Sequence, residues 1–262
     1  LQKKRTFGQR KNKMMSRIIA IVNHKGGVGK TTTTFSLGKA LSLRGKKVLI
    51  VDNDPQSNLT QYSGLKNIEK SIYDAICHAE KLPIYPIGDN FDIVPSDLGF
   101  SKAEYELQTD QVNGFFRLKD ALEDLQFYDY ILIDCPPSLG ILTMNALIAA
   151  NGVQIVMESE YFSMKGLQTV LDLVSSIKKR LNPNLEVEGL LLTKVNNTVF
   201  KLKVVDTIRQ SYKEKVYQTL IRQNIALTEV PSQGIDIFSY APQSHGAEDY
   251  MNLAIEILEQ HG

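Results

Sequence analysis

Short apolar, β-branched runs alternate along this chain with stretches of helical period, the pattern of βαβ units. Strands are predicted at Arg17–Val22, Lys47–Val51, Phe91–Val94, Tyr130–Ile133, Gly152–Met157 and Glu186–Leu192. The helical stretches between and after them are Lys30–Leu43, Gly114–Leu125, Ser138–Ala150, Ser163–Leu181, Val204–Tyr212 and Ala247–Gln260. No repeat or low-complexity linker interrupts this alternation after residue 17, so residues 17–262 are expected to form one α/β domain. Its architecture would be a doubly wound, mainly parallel sheet flanked by helices. Ligands collect at the carboxyl ends of such strands. The residues that follow each apolar run therefore matter most.

After the first run the chain reads His24-Lys25-Gly26-Gly27-Val28-Gly29-Lys30-Thr31-Thr32. Its end matches the phosphate-loop pattern G-x-x-x-x-G-K-[ST], with His24 in place of the first glycine. Strand, glycine-rich turn and helix together aim backbone N–H groups and the helix dipole at one point. The three glycines let the main chain curl around phosphate oxygens. Lys30 then places charge on the β- and γ-phosphates, the Thr31 hydroxyl suits Mg²⁺, and Thr32 reaches the α-phosphate. A connecting turn alone would not call for a Lys-Thr pair at the helix start. The fold class is thus a P-loop nucleoside triphosphatase using ATP and Mg²⁺.

Two further strand ends supply acids. Tyr130–Ile133 runs into Asp134, the form of a Walker B element whose carboxylate holds Mg²⁺ through water. Lys47–Val51 runs into Asp52-Asn53-Asp54-Pro55, two carboxylates one residue apart that would face the same way on an extended chain. One would support the metal shell and the other would orient the attacking water.

Composition narrows the picture. The chain has 262 residues, 43% of them apolar, enough for a sizeable core. No apolar run approaches the ~20 residues needed to cross a bilayer. Cys77 and Cys135 lie far apart in different contexts, which fits reduced thiols in a cytoplasmic protein better than a disulfide framework. Residues 1–17 carry seven Lys or Arg and no acid, leaving 23 basic against 29 acidic residues beyond them. Residues 1–16 are therefore expected to be a basic, disordered arm, either a nucleic-acid contact or sequence upstream of a start at Met14-Met15.

From about Arg17 to its end the chain resembles the ParA/MinD group of deviant Walker-A ATPases, and most of all the small, Soj-type ParA partition ATPases. The matching stretches are Lys25–Thr32, Asp52-Asn-Asp-Pro-Gln56, Ile133-Asp-Cys-Pro-Pro-Ser138 and Glu229-Val-Pro-Ser-Gln-Gly234. The resemblance implies that Lys25 is the signature lysine, reaching across an ATP-sandwiched homodimer to the partner's phosphates. It implies that Asp54 positions the hydrolytic water, that Asp134 serves as the Walker B acid with Asp52 beside it at the metal, and that Pro231 packs on adenine. Thr193 and Asn196 are further candidates there. Physics agrees on Lys25: five residues before Lys30 it lies on the opposite limb of the loop, so the two ammonium groups do not easily approach one γ-phosphate from the same side. Transition-state charge would then be neutralised only in the dimer.

The resemblance also implies an ATP switch. The ATP dimer would bind double-stranded DNA without sequence preference, a ParB-like partner would stimulate hydrolysis, and the protein would be cytoplasmic and nucleoid-associated. The basic candidates are Lys201, Lys203, Arg209, Lys213, Lys215 and Arg222, and removing Lys201, Lys203 and Arg222 would abolish DNA binding. Soj-type relatives carry arginines in places where this chain has Asn197, Thr198, Gln223 and Ala226, which weakens the match there. A protein-cargo positioning ATPase is the alternative. A MinD-like membrane switch is disfavoured because the C-terminal helix is acidic, and an iron–sulfur reductase because Cys77 has no suitable setting.

Overall fold

The computed structural model describes residues 16–160 and 163–261. Seven strands form one sheet: β1 (Arg17–Val22), β2 (Val48–Asp52), β3 (Tyr85–Gly88), β4 (Phe91–Val94), β5 (Tyr130–Asp134), β6 (Gly152–Glu158) and β7 (Glu186–Thr193), in the order β3-β4-β2-β5-β1-β6-β7. Every pairing is parallel except β3 with β4. All six predicted strands are present. The edge strand β3 was not predicted, because Pro86 breaks the strand pattern and Pro is tolerated only at such an edge.

The strands bury both faces, as parallel strands must. Ile19 and Ile21 point to one side with Ile50 and Leu132, while Ala20 and Val22 point to the other with Val51 and Ile133. The first side is covered by α1 (Lys30–Leu43) through Phe35, Leu37 and Leu41. Beside it lies the C-terminal helix α11 (His245–His261), whose Tyr250, Leu253, Ala254 and Ile257 repeat at helical spacing. The short helix α2 (Asn58–Tyr62) also packs on this side through Leu59 and Tyr62, whereas α3 (Ile72–His78) packs on the other through Ile72 and Ile76.

The second face is covered by α3, α4 (Ala103–Thr109), α5 (Arg117–Leu122), α6 (Ile141–Ala149), α7 (Ser163–Arg180) and α8 (Val199–Tyr212). Two short helices, α9 (Ala226–Gln233) and α10 (Ile237–Tyr240), return the chain to α11. Helix α8 begins five residues before the predicted Val204. Its first turns expose Val199, Phe200 and Leu202, so the apolar periodicity that marks a helix starts late. Beyond β7, residues 216–222 run alongside the strand, with Tyr217 N–H donating to Leu190 O and Ile221 N–H to Leu192 O at 3.1 and 2.9 Å.

The sheet delivers its chemistry at one edge. Asp52 and Asp134 end β2 and β5 in register, Glu158 and Thr193 end β6 and β7 in register, and Asn23 follows β1. Of the predicted arm, 1–16, residues 1–15 lie outside the described residues, and Ser16 is buried with its hydroxyl donating to the Leu125 and Tyr128 carbonyls.

Candidate nucleotide-binding site

Asn23 sets the loop's entry. Its side chain donates to the Val156 carbonyl at 2.6 Å and accepts from the Lys25 N–H at 3.0 Å, pinning the turn to β6. Gly27 and Gly29 then take φ values of +75° and +96°, a region that residues with a Cβ rarely adopt. Among the described residues, no acceptor is found for the main-chain N–H groups of residues 26–32. A curl of free N–H donors at a helix start is a cradle for an anion.

Around it lies a cleft in two parts. The first, about 530 Å³, is lined by Gly26, Gly27, Gly29, Lys30, Thr31 and Thr32 of the loop, by Asp54 and Gln56, and by Pro137, Pro231 and Ser232 opposite. The second, about 420 Å³, shares Gly27, Gly29, Thr32 and Pro231 and adds Val28, Thr193, Lys194, Gln223, Asn224, Leu227 and Thr228. The shared residues join the parts into one trough with a polar end and a more enclosed end. Phosphates fit the former and a base the latter.

The two lysines have different surroundings. Lys30 is buried, and its Nζ donates to the Lys25 carbonyl at 3.2 Å. Burial pulls its pKa down, against the attraction of Asp134. Lys25 does not line the cleft. Its side chain is about half exposed and is held by Glu158 and Glu160, which together raise its pKa, Glu160 most. Glu158, Glu160 and Lys194 were not anticipated. Only their position after β6 and β7 hints at a part in the site.

The acids divide in the same way. Thr31 Oγ1 donates to Asp134 Oδ2 at 2.7 Å, so a hydroxyl and a carboxylate already meet at the loop's base. Burial, then the nearby Asp52, pushes the Asp134 carboxyl up to about 8. A hydroxyl and a buried carboxyl whose proton a divalent cation would displace are hard oxygen donors of the kind Mg²⁺ takes, so the residues fit this metal.

Asp52 has a different task from the predicted one. Its Oδ2 accepts from the Thr60 N–H and hydroxyl at 2.8 and 2.6 Å and its Oδ1 from the Asp54 N–H at 3.3 Å. Thr60 Oγ1 in turn accepts the Ser96 N–H at 2.9 Å. Asp52 is fully buried and its oxygens are taken by protein N–H and hydroxyl donors, so it rivets β2 to α2 and the end of β4, while it is Asp134 that meets the Thr31 hydroxyl. Asp54 does face the cleft, fixed by the Gln56 N–H at 2.9 Å.

Toward the enclosed end, Thr193 donates to the Val28 carbonyl at 2.7 Å and lines the trough, as does Pro231. Asn196 lies outside the lining and bonds Gln223 and Thr198 instead. Gln223, Asn224 and Thr228 supply the polar edge there that sequence reasoning missed. His24 packs its ring against Gly166 in α7, where a Cβ would fall 1.8 Å from His24 Cε1. It braces the loop from outside.

The basic candidates differ in how far their charge is already engaged. Arg222 is committed to Asp249 and Glu248, with Nη2–O distances of 2.5 Å to each, and its N–H also donates to Asp249. Arg209 donates to the Gln218 carbonyl and Lys201 to the Lys194 carbonyl, each at 2.8 Å. Lys203, Lys213 and Lys215 are exposed along α8 and the turn after it. The expectation for Arg222 is therefore corrected: its charge is spent on the C-terminal helix.

A phosphate cradle, a buried lysine and a Thr–Asp pair at the carboxyl edge of a parallel sheet define a P-loop nucleoside triphosphatase. The AAA domain family model matches residues 16–187. The sporulation initiation inhibitor protein Soj of Bacillus subtilis is 43% identical over 250 residues, covering 93% of this chain and 98% of that protein. The chromosome partitioning protein ParA of Myxococcus xanthus is 39% identical, covering 97% and 92%. Among solved structures, cobyrinic acid a,c-diamide synthase of Mycobacterium smegmatis with ADP and magnesium superposes with a TM-score of 0.81 at 30% identity, covering 93% and 94%. The chain belongs to the ParA/MinD family and is a ParA-like ATPase.

Proposed function

We propose that the chain is an ATP-dependent dimerising switch that acts in DNA partition. Mg-ATP would occupy the trough, with the loop N–H groups, Lys30 and Thr32 on the phosphates, Thr31 and Asp134 at the metal and Pro231 against the base. Asp54 lies beside the phosphate end, where it would orient the attacking water. The hydrolysis is ATP + H2O to ADP and phosphate.

The observation that carries the reading is the position of Lys25. It sits on the loop yet does not line the cleft, and its ammonium is turned to Glu158 and Glu160, which supports a role at a second subunit's phosphates over one at its own. Hydrolysis then depends on assembly. The names of the Soj and ParA relatives support DNA partition as the task, with nucleoid DNA bound non-specifically by the ATP dimer and a ParB-like partner stimulating turnover.

Sizing with a slowly hydrolysed ATP analogue tests this. Wild type is expected to run as a dimer and Lys25→Ala as a monomer that still binds nucleotide. Asp54→Ala is expected to dimerise and turn over about 10²-fold more slowly. Stimulation of turnover by duplex DNA separates this reading from a small-molecule ligase, whose activity would respond to its second substrate instead.

A further inference from the structure

Two carboxylates hold Lys25 on its own subunit. Its Nζ lies 3.1 Å from Glu158 Oε2 and 2.9 Å from Glu160 Oε2. The other oxygen of Glu158 takes Lys194 Nζ at 2.7 Å, and Lys194 also donates to the Gly27 carbonyl at 2.6 Å. We propose that Glu158 and Glu160 are positioning residues for hydrolysis: they latch Lys25 in cis, and the phosphates of a second subunit must outcompete them before Lys25 can act in trans. This rests on the trans role of Lys25 proposed above.

The geometry makes the latch releasable. When Lys25 leaves, Glu158, whose side chain is only 11% exposed, keeps Lys194 as its counter-ion and is not stranded as an unpaired buried charge. Glu160, at 47%, returns to water. The main chain need not move, because the Lys25 N–H remains held by Asn23 Oδ1. Only the side chain swings. Burial works against ionisation of Glu158, and the hydrogen bonds from Lys194 and Lys25 outweigh it and hold its pKa below the usual range. Lys25 therefore exchanges two full carboxylate charges for the more highly charged triphosphate, so release favours the loaded partner over an empty one.

The test is the dependence of specific ATPase activity on protein concentration at saturating ATP. Glu160→Gln, at a half-exposed site, is expected to lower the concentration for half-maximal activity about 3-fold, the size of one exposed ion pair. Glu160→Asp should restore it toward wild type, and Glu158→Gln should shift it in the same direction as Glu160→Gln. In a Lys25→Gln background, where the trans role leaves no concentration-dependent activity, adding Glu160→Gln should change neither the residual rate nor its independence of protein concentration. An unchanged or raised midpoint in Glu160→Gln, with wild type still concentration-dependent, would overturn the latch alone. Wild-type activity independent of protein concentration would overturn the latch and the trans role of Lys25 together.

Discussion

The phosphate loop and helix α8 both carry lysines, and the chain uses them in opposite ways. In the loop every lysine has an address: Lys30 is buried under the Lys25 carbonyl, and Lys25 is clamped between Glu158 and Glu160. Lys203 on α8, a helix of 14 residues, and Lys213 and Lys215 on the turn after it are exposed to water. Backbone geometry places charge in the first region. In the second, charge is free to follow whatever surface approaches. A site for one small ligand needs the former, and a sequence-indifferent polyanion needs only the latter.

Substitutions can break or sharpen this contrast. The largest effect is expected at the addressed lysine: Lys30→Ala should lower kcat/KM for ATP by about 10³-fold, the cost of removing one transition-state charge contact. A loss below 10-fold would mean that Lys30 has no special position. On α8, replacing Lys203, Lys213 and Lys215 together by Ala should leave ATPase activity intact and reduce the salt slope of duplex DNA binding by about 3. Arg222→Ala should leave that slope unchanged yet lower stability by about 2 kcal/mol in urea unfolding, because it strands the buried Asp249. A lower salt slope in Arg222→Ala would return that residue to the DNA surface. The smallest effect belongs to the loop's outer brace: Gly166→Ala displaces the His24 ring and should raise KM for ATP about 2-fold, with kcat unaffected.

What the sequence made legible follows the same division. Gly29, Lys30 and Thr31 were readable because positive φ and a helix start restrict which residues can stand there. Asp52 and Asp54 were not separable. Alternation along an extended strand predicts a common direction, but the chain leaves β2 at Asp52, and the partner of Asp52 is Thr60 in a five-residue helix too short to show a period. The Arg222–Asp249 pair spans 27 positions and two elements, so charge counting could only treat the arginine as free. Lys194 and Glu158 meet because β6 and β7 lie in register, which no local pattern reveals.

Both margins of the sheet are blunted against further strand pairing. On one side β3 carries Pro86, which offers no N–H, and on the other the 216–222 segment occupies the main-chain groups of β7. Copies of this chain therefore have no ready route to stack edge to edge. A dimer formed on the face where the nucleotide trough opens, as proposed above, would draw on neither margin, and a locally crowded population would avoid the sheet-extending aggregates that open margins invite.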